Sequence, residues 1–275
     1  MPRHAPRPAT VVAVGALLAL AACTETSPGE PAPSTSASSA TTSPTATESA
    51  PGPALSRAES ASTASGRVVQ ATLSGDGDLA LETGAPRFDG GADLTATLAT
   101  PESALTITIP DAAPEVTADR SVVLRYTDGS AGLTTPRATA AHGGRARVAT
   151  DVVGSSVVIT PRTRADDGAT FPVEVTVSFA PTAIERVVWA DRLEGGRSLQ
   201  VFPTPWGRTA SQAAGAAAWD GVVLLEPEAD TDVMNKQLRC HLLGAPEKES
   251  WNLEPWRPDV GYTQYLLARC NPTAD

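Results

Sequence analysis

Val173-Glu174-Val175-Thr176-Val177-Ser178-Phe179 alternates apolar and polar residues over seven positions and is closed by Pro181. Period-two alternation of β-branched residues is the mark of a strand with one buried face. Two upstream runs repeat it: Leu105-Thr106-Ile107-Thr108-Ile109 ends at Pro110, and Val122-Val123-Leu124-Arg125-Tyr126 ends at Asp128-Gly129. Several such runs between about Arg67 and Ala180, bounded by Gly, Pro and Asp, predict a β-sandwich or a partly open barrel. Aromatic residues are scarce here, so the core is expected to be built from Val, Ile and Leu.

Within this region Asp128-Gly129-Ser130, Ser156-Val157-Val158-Ile159 and Ala169-Thr170-Phe171-Pro172-Val173 resemble a strand-rich module that often precedes C-terminal domains in secreted Gram-positive proteins. The resemblance supports an all-β domain over residues 67–181 and implies no activity.

From about Thr182 the composition changes, and all five tryptophans follow: Trp189, Trp206, Trp219, Trp251 and Trp256. A second core is therefore expected over residues 182–275. Ile184 to Ala190 and Ser198 to Phe202 alternate and are joined through Glu194-Gly195-Gly196, which reads as a β-hairpin. Thr209 to about Leu225 is Ala-rich and helical in propensity, stopped by Pro227. Asp230 or Thr231 can cap a second helix to Leu243, with Gly244 as its stop and Met234, Leu238 and Leu242 as its buried stripe. Val260, Tyr262, Gln264, Leu266, Ala268 and Cys270 alternate, which predicts a last strand. The fold class is thus mainly β, a sandwich-like domain followed by a small disulfide-bonded α+β domain.

The segments Leu199-Gln200-Val201-Phe202-Pro203-Thr204-Pro205-Trp206-Gly207-Arg208, Ala218-Trp219, Cys240-His241, Lys248-Glu249-Ser250-Trp251-Asn252-Leu253-Glu254-Pro255-Trp256-Arg257-Pro258 and Arg269-Cys270-Asn271-Pro272 resemble a secreted bacterial family, domain of unknown function 2599. The similarity covers roughly residues 184 to 272. It implies an exported protein with a single folded C-terminal unit, and carries over no catalytic residue.

At the other end, Arg3 and Arg7 precede an apolar run from about Val11 to Ala22, the layout of a secretory signal peptide. The run is far short of the roughly 20 residues that span a bilayer. Leu20-Ala21-Ala22-Cys23 resembles a lipobox, which implies cleavage after residue 22 and a diacylglyceryl group on Cys23. Two acyl chains suffice for stable anchoring, and the expected location is the outer face of the cytoplasmic membrane. Residues 23–66, almost wholly Ser, Thr, Ala, Pro and Glu beyond Cys23, cannot bury enough apolar surface to order themselves. About 42 such residues make a tether with an end-to-end distance of roughly 35 Å. Their Ser/Thr/Pro density is also that of O-glycosylated stalks.

Cleavage removes Arg3 and Arg7 and no acid, leaving 19 basic against 31 acidic side chains and a net charge of −12. That balance argues against nucleic acid as a partner and against basic contact with anionic lipid. With Cys23 lipidated, Cys240 and Cys270 remain as an even pair in a compartment where disulfides persist. Neither CxxC nor His-rich spacing points instead to a metal. The predicted bridge closes a loop of about 30 residues, worth roughly 3.5 kcal/mol in chain-entropy terms.

Candidate chemistry concentrates near the C-terminus. Pro255 and Pro258 force Glu254 and Arg257 into extended conformations. The stiff strip so formed, with Arg208, His241, Lys248, Trp251, Asn252, Glu254, Trp256 and Arg257 as candidates, can be a recognition surface of the Trp- and Arg-rich kind, or its indoles can simply fill a small core. His241 is the best base in the chain, and Glu254 is the carboxylate whose burial could raise its pKa. His142 sits in a turn. No Gly-x-Ser-x-Gly elbow or HExxH accompanies them, and no motif calls for a cofactor or a metal. Asp76-Gly77-Asp78 and Asp230-Thr231-Asp232 lack the further ligands of a calcium loop. Two functions follow as expectations: a non-catalytic module binding a cell-wall polymer, a glycan or an envelope protein, or an envelope glycan or peptidoglycan hydrolase using His241 or Glu254. In both, lipid on Cys23 joins the chain to the membrane. Cys23→Ala is expected to release the protein or leave it uncleaved, so that globomycin-sensitive processing and detergent-phase partitioning both vanish. Normally processed, membrane-attached mutant protein refutes the anchor.

Overall fold

The computed structural model describes residues 56–141, 146–162, 170–191 and 195–273. The expected signal peptide, Cys23, the first part of the expected tether, His142 and Glu194 lie outside them.

Among the described residues twelve strands precede residue 181: β1 (Ser56–Ser62), β2 (Val68–Ser74), β3 (Leu79–Glu82), β4 (Ala92–Leu98), β5 (Ala104–Thr108), β6 (Ala113–Val116), β7 (Val122–Tyr126), β8 (Gly129–Leu133), β9 (Arg137–Ala140), β10 (Val148–Val153), β11 (Ser156–Pro161) and β12 (Val173–Ala180). They form one sheet of order β1-β2-β5-β11-β10 and a second of order β3-β4-β12-β8-β7-β6, with β9 also on β12. The run that opened the sequence reading is the centre of the second sheet. β12 pairs antiparallel with β4 from Val173↔Leu98 to Phe179↔Ala92, while its other edge serves β9 and β8 in turn.

Alternation sends Val69, Ala71, Leu73, Leu105, Ile107, Val157 and Ile159 from the first sheet against Leu94, Leu98, Leu124, Val175 and Val177 from the second, one buried core between two layers. The fold is a sandwich, and its core is aliphatic as expected, with Ala and Phe179 added. β1 corrects the tether's end. Ser56–Ser62 pairs with β2 along its whole length, although nearly all its side chains are exposed. An edge strand is held by its neighbour's backbone, and Ser/Ala/Glu composition does not forbid it.

Beyond residue 181, β13 (Ile184–Asp191) and β14 (Arg197–Pro203) form the expected hairpin pairing, and β15 (Trp251–Leu253) extends the sheet along β14. The Ala-rich helix is α1 (Gln212–Leu225), and α2 spans Asp232–Gly244. Thr231 is the α2 N-cap, its side chain accepting from Met234 N at 3.3 Å. Met234 and Leu238 are fully buried and Leu242 packs beside them, together with Gln237, Cys240 and His241.

The predicted last strand is instead a helix, α3 (Tyr262–Leu267). A run this short fits either period. The buried residue is Tyr265, which strand alternation would have turned outward, whereas Leu266 is 40% exposed. The helix ends in a Schellman motif, with Cys270 N bonded to Tyr265 O at 2.7 Å and Arg269 N to Leu266 O at 3.1 Å. This motif turns Cys270 back towards α2. The Cys240–Cys270 disulfide, with a Cα–Cα distance of 5.5 Å, therefore ties α2 to the end of a helix rather than to a strand.

The C-terminal core also reaches into the sandwich. Phe88, Val123 and Ala180 join the cluster of Ala213, Ala214, Ala217, Ala218, Trp206 and Trp251. Trp206 is buried with its six-membered ring against Gly132 of β8, where a Cβ would sit 2.5 Å from the indole. The first amides of α1 are met from both sides. Its own Ser211 caps Ala214 N at 3.2 Å, while Asp119 of the sandwich accepts from Gln212 N at 2.8 Å and Ser121 from Ala213 N at 3.1 Å. Partial burial raises the Asp119 pKa, but hydrogen bonds from Ser121, Thr117 and Gln212 N outweigh it and hold the carboxyl below its usual value. Trp206→Ala is expected to cost about 3–5 kcal/mol and to lower the denaturation midpoint of the whole described unit. A loss below 1 kcal/mol in chemical denaturation contradicts this role of Trp206 in joining the C-terminal core to the sandwich.

Candidate functional site

The strip from Trp251 to Pro258 is built inward. Trp251 is fully buried and its indole donates to Ala245 O at 2.9 Å, the C-cap of α2. Glu254 is 3% exposed. The Gln237 side-chain amide makes two hydrogen bonds with the Glu254 backbone, accepting from its N and donating to its O, both at 2.9 Å. One carboxylate oxygen of Glu254 accepts from Ser198 Oγ at 3.0 Å and the other from Arg257 Nε. Arg257, 6% exposed, also donates to Pro272 O at 3.2 Å, pinning the tail after the disulfide, and its guanidinium lies 4.6 Å from the Trp256 ring centroid. A buried charge pair is tolerated when hydrogen bonds complete it, and here they do.

The remaining candidates hold loops. Trp256 is half-buried on Gly195-Gly196, where a Cβ at Gly196 would meet the indole at 2.6 Å. Arg208 donates to the carbonyls of Pro246 (3.0 Å), Lys248 and Glu249 (2.8 Å), fixing the loop between α2 and β15. Lys248 is exposed and Asn252 half-buried. Of the eight residues expected to form a recognition surface, His241, Trp251, Glu254 and Arg257 are therefore core. The strip is not extended throughout: Trp251–Leu253 is strand, and Arg257 N donates to Glu254 O at 3.2 Å, closing a turn over Pro255 and Trp256 that folds the strip inward.

His241 is 4% exposed and its Nε2 lies 3.1 Å from Asn252 O. A carbonyl only accepts, so Nε2 carries the proton and Nδ1, buried without a partner, is the bare nitrogen. Burial, opposed by the Asn252 carbonyl, pushes the pKa down to about 4. The ring is neutral at physiological pH and faces no carboxylate within hydrogen-bond reach among the described residues, so it has no partner for triad chemistry.

An open groove of about 380 Å³ lies instead where the sandwich meets α1. Arg125, Tyr126, Gly129 and Ser130, at the β7–β8 turn, form one wall, and Trp219, Asp220, Leu224 and Asp230 the other. Asp220 bridges the walls, accepting from Ser130 Oγ at 2.7 Å and facing Arg125 Nε at 3.5 Å. The sequence marks Trp219 only as part of a helix. Nothing in the spacing of Arg125, Ser130 and Asp220 foretells that 90 residues of separation close into one network.

A β-sandwich carrying a small disulfide-bonded α+β domain, with a tryptophan in the groove at their junction, defines the class. Residues 184–273 match the family described as Protein of unknown function (DUF2599), and the chain belongs to that family. The uncharacterized protein Rv0477 of Mycobacterium tuberculosis is 45% identical over 101 residues, 34% of this chain and 68% of that protein, as is Mb0487 of Mycobacterium bovis. ML2452 of Mycobacterium leprae is 42% identical over 83 residues, 27% of this chain and 68% of that protein. No solved structure matches significantly.

The His241 environment fixes a pH response. Its pKa falls from 6.5 in the unfolded chain to about 4 in the folded one. The unfolded state thus takes up a proton first as pH drops. Stability is complete above pH 6.5 and falls by on the order of 3 kcal/mol between pH 6.5 and 4. His241→Gln, which keeps a donor for Asn252 O and does not titrate, should flatten that part of the profile in urea titrations. An unchanged slope contradicts the assignment.

Proposed function

We propose that this chain is a lipid-anchored cell-envelope binding module with no catalytic chemistry of its own. Lipid on Cys23 holds it at the outer face of the cytoplasmic membrane, the Ser/Thr/Pro-rich stretch spaces it from the bilayer, and a wall polymer, glycan or envelope protein docks on the folded part. The observation that carries this reading is the fate of the two residues on which hydrolysis would depend. Glu254 is 3% exposed and already paired with Arg257, and His241 is 4% exposed and held by a backbone carbonyl. A substrate reaches neither. The Cys240–Cys270 pair fits an oxidising compartment. No helix among the described residues is long and apolar enough to cross a membrane, so in this reading the lipid carries the attachment.

Incubating the processed chain with purified insoluble envelope is the test. It is expected to pellet with the envelope and to release no soluble sugar or peptide fragments, and Glu254→Gln is expected to pellet equally. Fragment release lost in Glu254→Gln or His241→Gln would establish the hydrolase, and absence of pelleting would refute the module.

A further inference from the structure

The groove at the domain junction has the chemistry of a sugar site, and we infer that it binds an uncharged saccharide ring on Trp219. The inference rests on the binding-module reading and names its ligand. Trp219 packs part of its indole on the C-terminal core and leaves the rest lining the groove. Its Nε1 makes no hydrogen bond among the described residues and is not sealed from solvent. A flat apolar face with a free donor at its rim suits a ring with one C–H face and a perimeter of hydroxyls.

That perimeter has partners already in place. The Asp220 carboxylate is oriented by Ser130 Oγ and Arg125 Nε, and Arg125 Nη1 donates to Glu115 at 3.3 Å. Groups fixed before binding lose little freedom on binding. Asp230 is exposed at the rim. Tyr126 lines the same groove with its ring, while its hydroxyl is buried out of a ligand's reach. Burial, opposed by the Arg67 cation 3.9 Å from its ring centroid, pushes the Tyr126 pKa up to about 12, so this wall of the groove carries no phenolate charge.

Charge and topology remove the other ligand classes. Among the described residues Arg125 is the groove's one cationic side chain, and it already faces Asp220 and Glu115, while Asp230 adds a further negative charge. A phosphate or carboxylate ligand finds no unpaired cation among them. An extended peptide finds β7 already paired on both sides, with β6 and with β8, as far as Arg125 at the groove. A volume of about 380 Å³ falls at the small end of ligand sites, the scale of a sugar ring or two rather than of a protein surface.

The test uses the full processed chain in a detergent without a sugar headgroup, titrated with neutral tetrasaccharides of glucose, mannose and N-acetylglucosamine, and with tetragalacturonate as the anionic comparison. At least one neutral tetrasaccharide is expected to bind in calorimetry and tetragalacturonate to fail. Trp219→Ala should weaken binding about tenfold or more, the effect of removing a hot-spot aromatic. Asp230→Asn, at an exposed position that folding does not use, should weaken it severalfold, and Trp189→Ala, outside the groove, should leave it unchanged. Unaltered thermal midpoints for Asp230→Asn and Trp189→Ala keep the comparison valid should Trp219→Ala unfold. Failure of all three neutral sugars, tighter binding of the anionic one, or indifference to both groove substitutions overturns the assignment. Envelope pelleting that persists while every saccharide fails leaves the binding module standing and removes only its sugar ligand.

Discussion

The seating of α1 on the sandwich is the constraint from which the rest of the C-terminal half follows. An alanine face, Ala213, Ala214, Ala217 and Ala218, brings the helix backbone close to β7 and β8, and Trp206 drives its ring against Gly132. Small side chains on one partner and a missing one on the other are what make so close an approach possible. Asp119 and Ser121 then satisfy amides that any helix leaves open at its N-terminus. These two residues sit at the start of β7, so the sandwich supplies a cap that fixes both the position and the rotation of α1.

At the opposite end the small domain is closed by polar rather than apolar means. Gln237 meets the Glu254 backbone as a strand neighbour would, Arg257 joins Glu254 to the C-terminal tail, and the disulfide ties that tail to α2. Around Cys240, Tyr265 and Cys270 the buried apolar cluster is very small. Covalent and charge-assisted links supply here what limited hydrophobic burial does not. This is why the residues with the most chemical promise in the sequence, Glu254, Arg257 and His241, are the ones the fold consumes.

Which parts of this could be read in advance depends on the range of the forces involved. β5, β7 and β12 are visible because a half-buried strand imposes its alternation on its own residues, and α2 announces itself through Thr231 and the spacing of Met234 and Leu238. β1 is invisible because backbone pairing leaves no apolar signature on Ser56–Ser62. α3 is misread because six residues fit both periods and only Tyr265, by its burial, distinguishes them. The family resemblance reaches the right third of the chain yet cannot say which tryptophans face inward. Trp251 and Trp256, which the sequence leaves open between a recognition strip and a small core, are packed, whereas Trp219, unremarkable within an alanine-rich helix, lines the groove.

The groove belongs to the junction and to neither domain alone. The part of Rv0477 outside its match to this chain is less than half as long as the match itself, too short for a twelve-strand sandwich like the one described here. Arg125, Tyr126 and Ser130 lie outside the family's residues 184–273, while Trp219, Asp220 and Asp230 lie within them. The family segment thus contributes the indole and both groove acids, and the sandwich contributes the Arg125 cation and the Ser130 hydroxyl that orient Asp220. Joining the two does more than bury surface: with the first amides of α1 held by Asp119 and Ser121, its later turns take their place along β7 and β8. That position sets Trp219 and Asp220 opposite the β7–β8 turn.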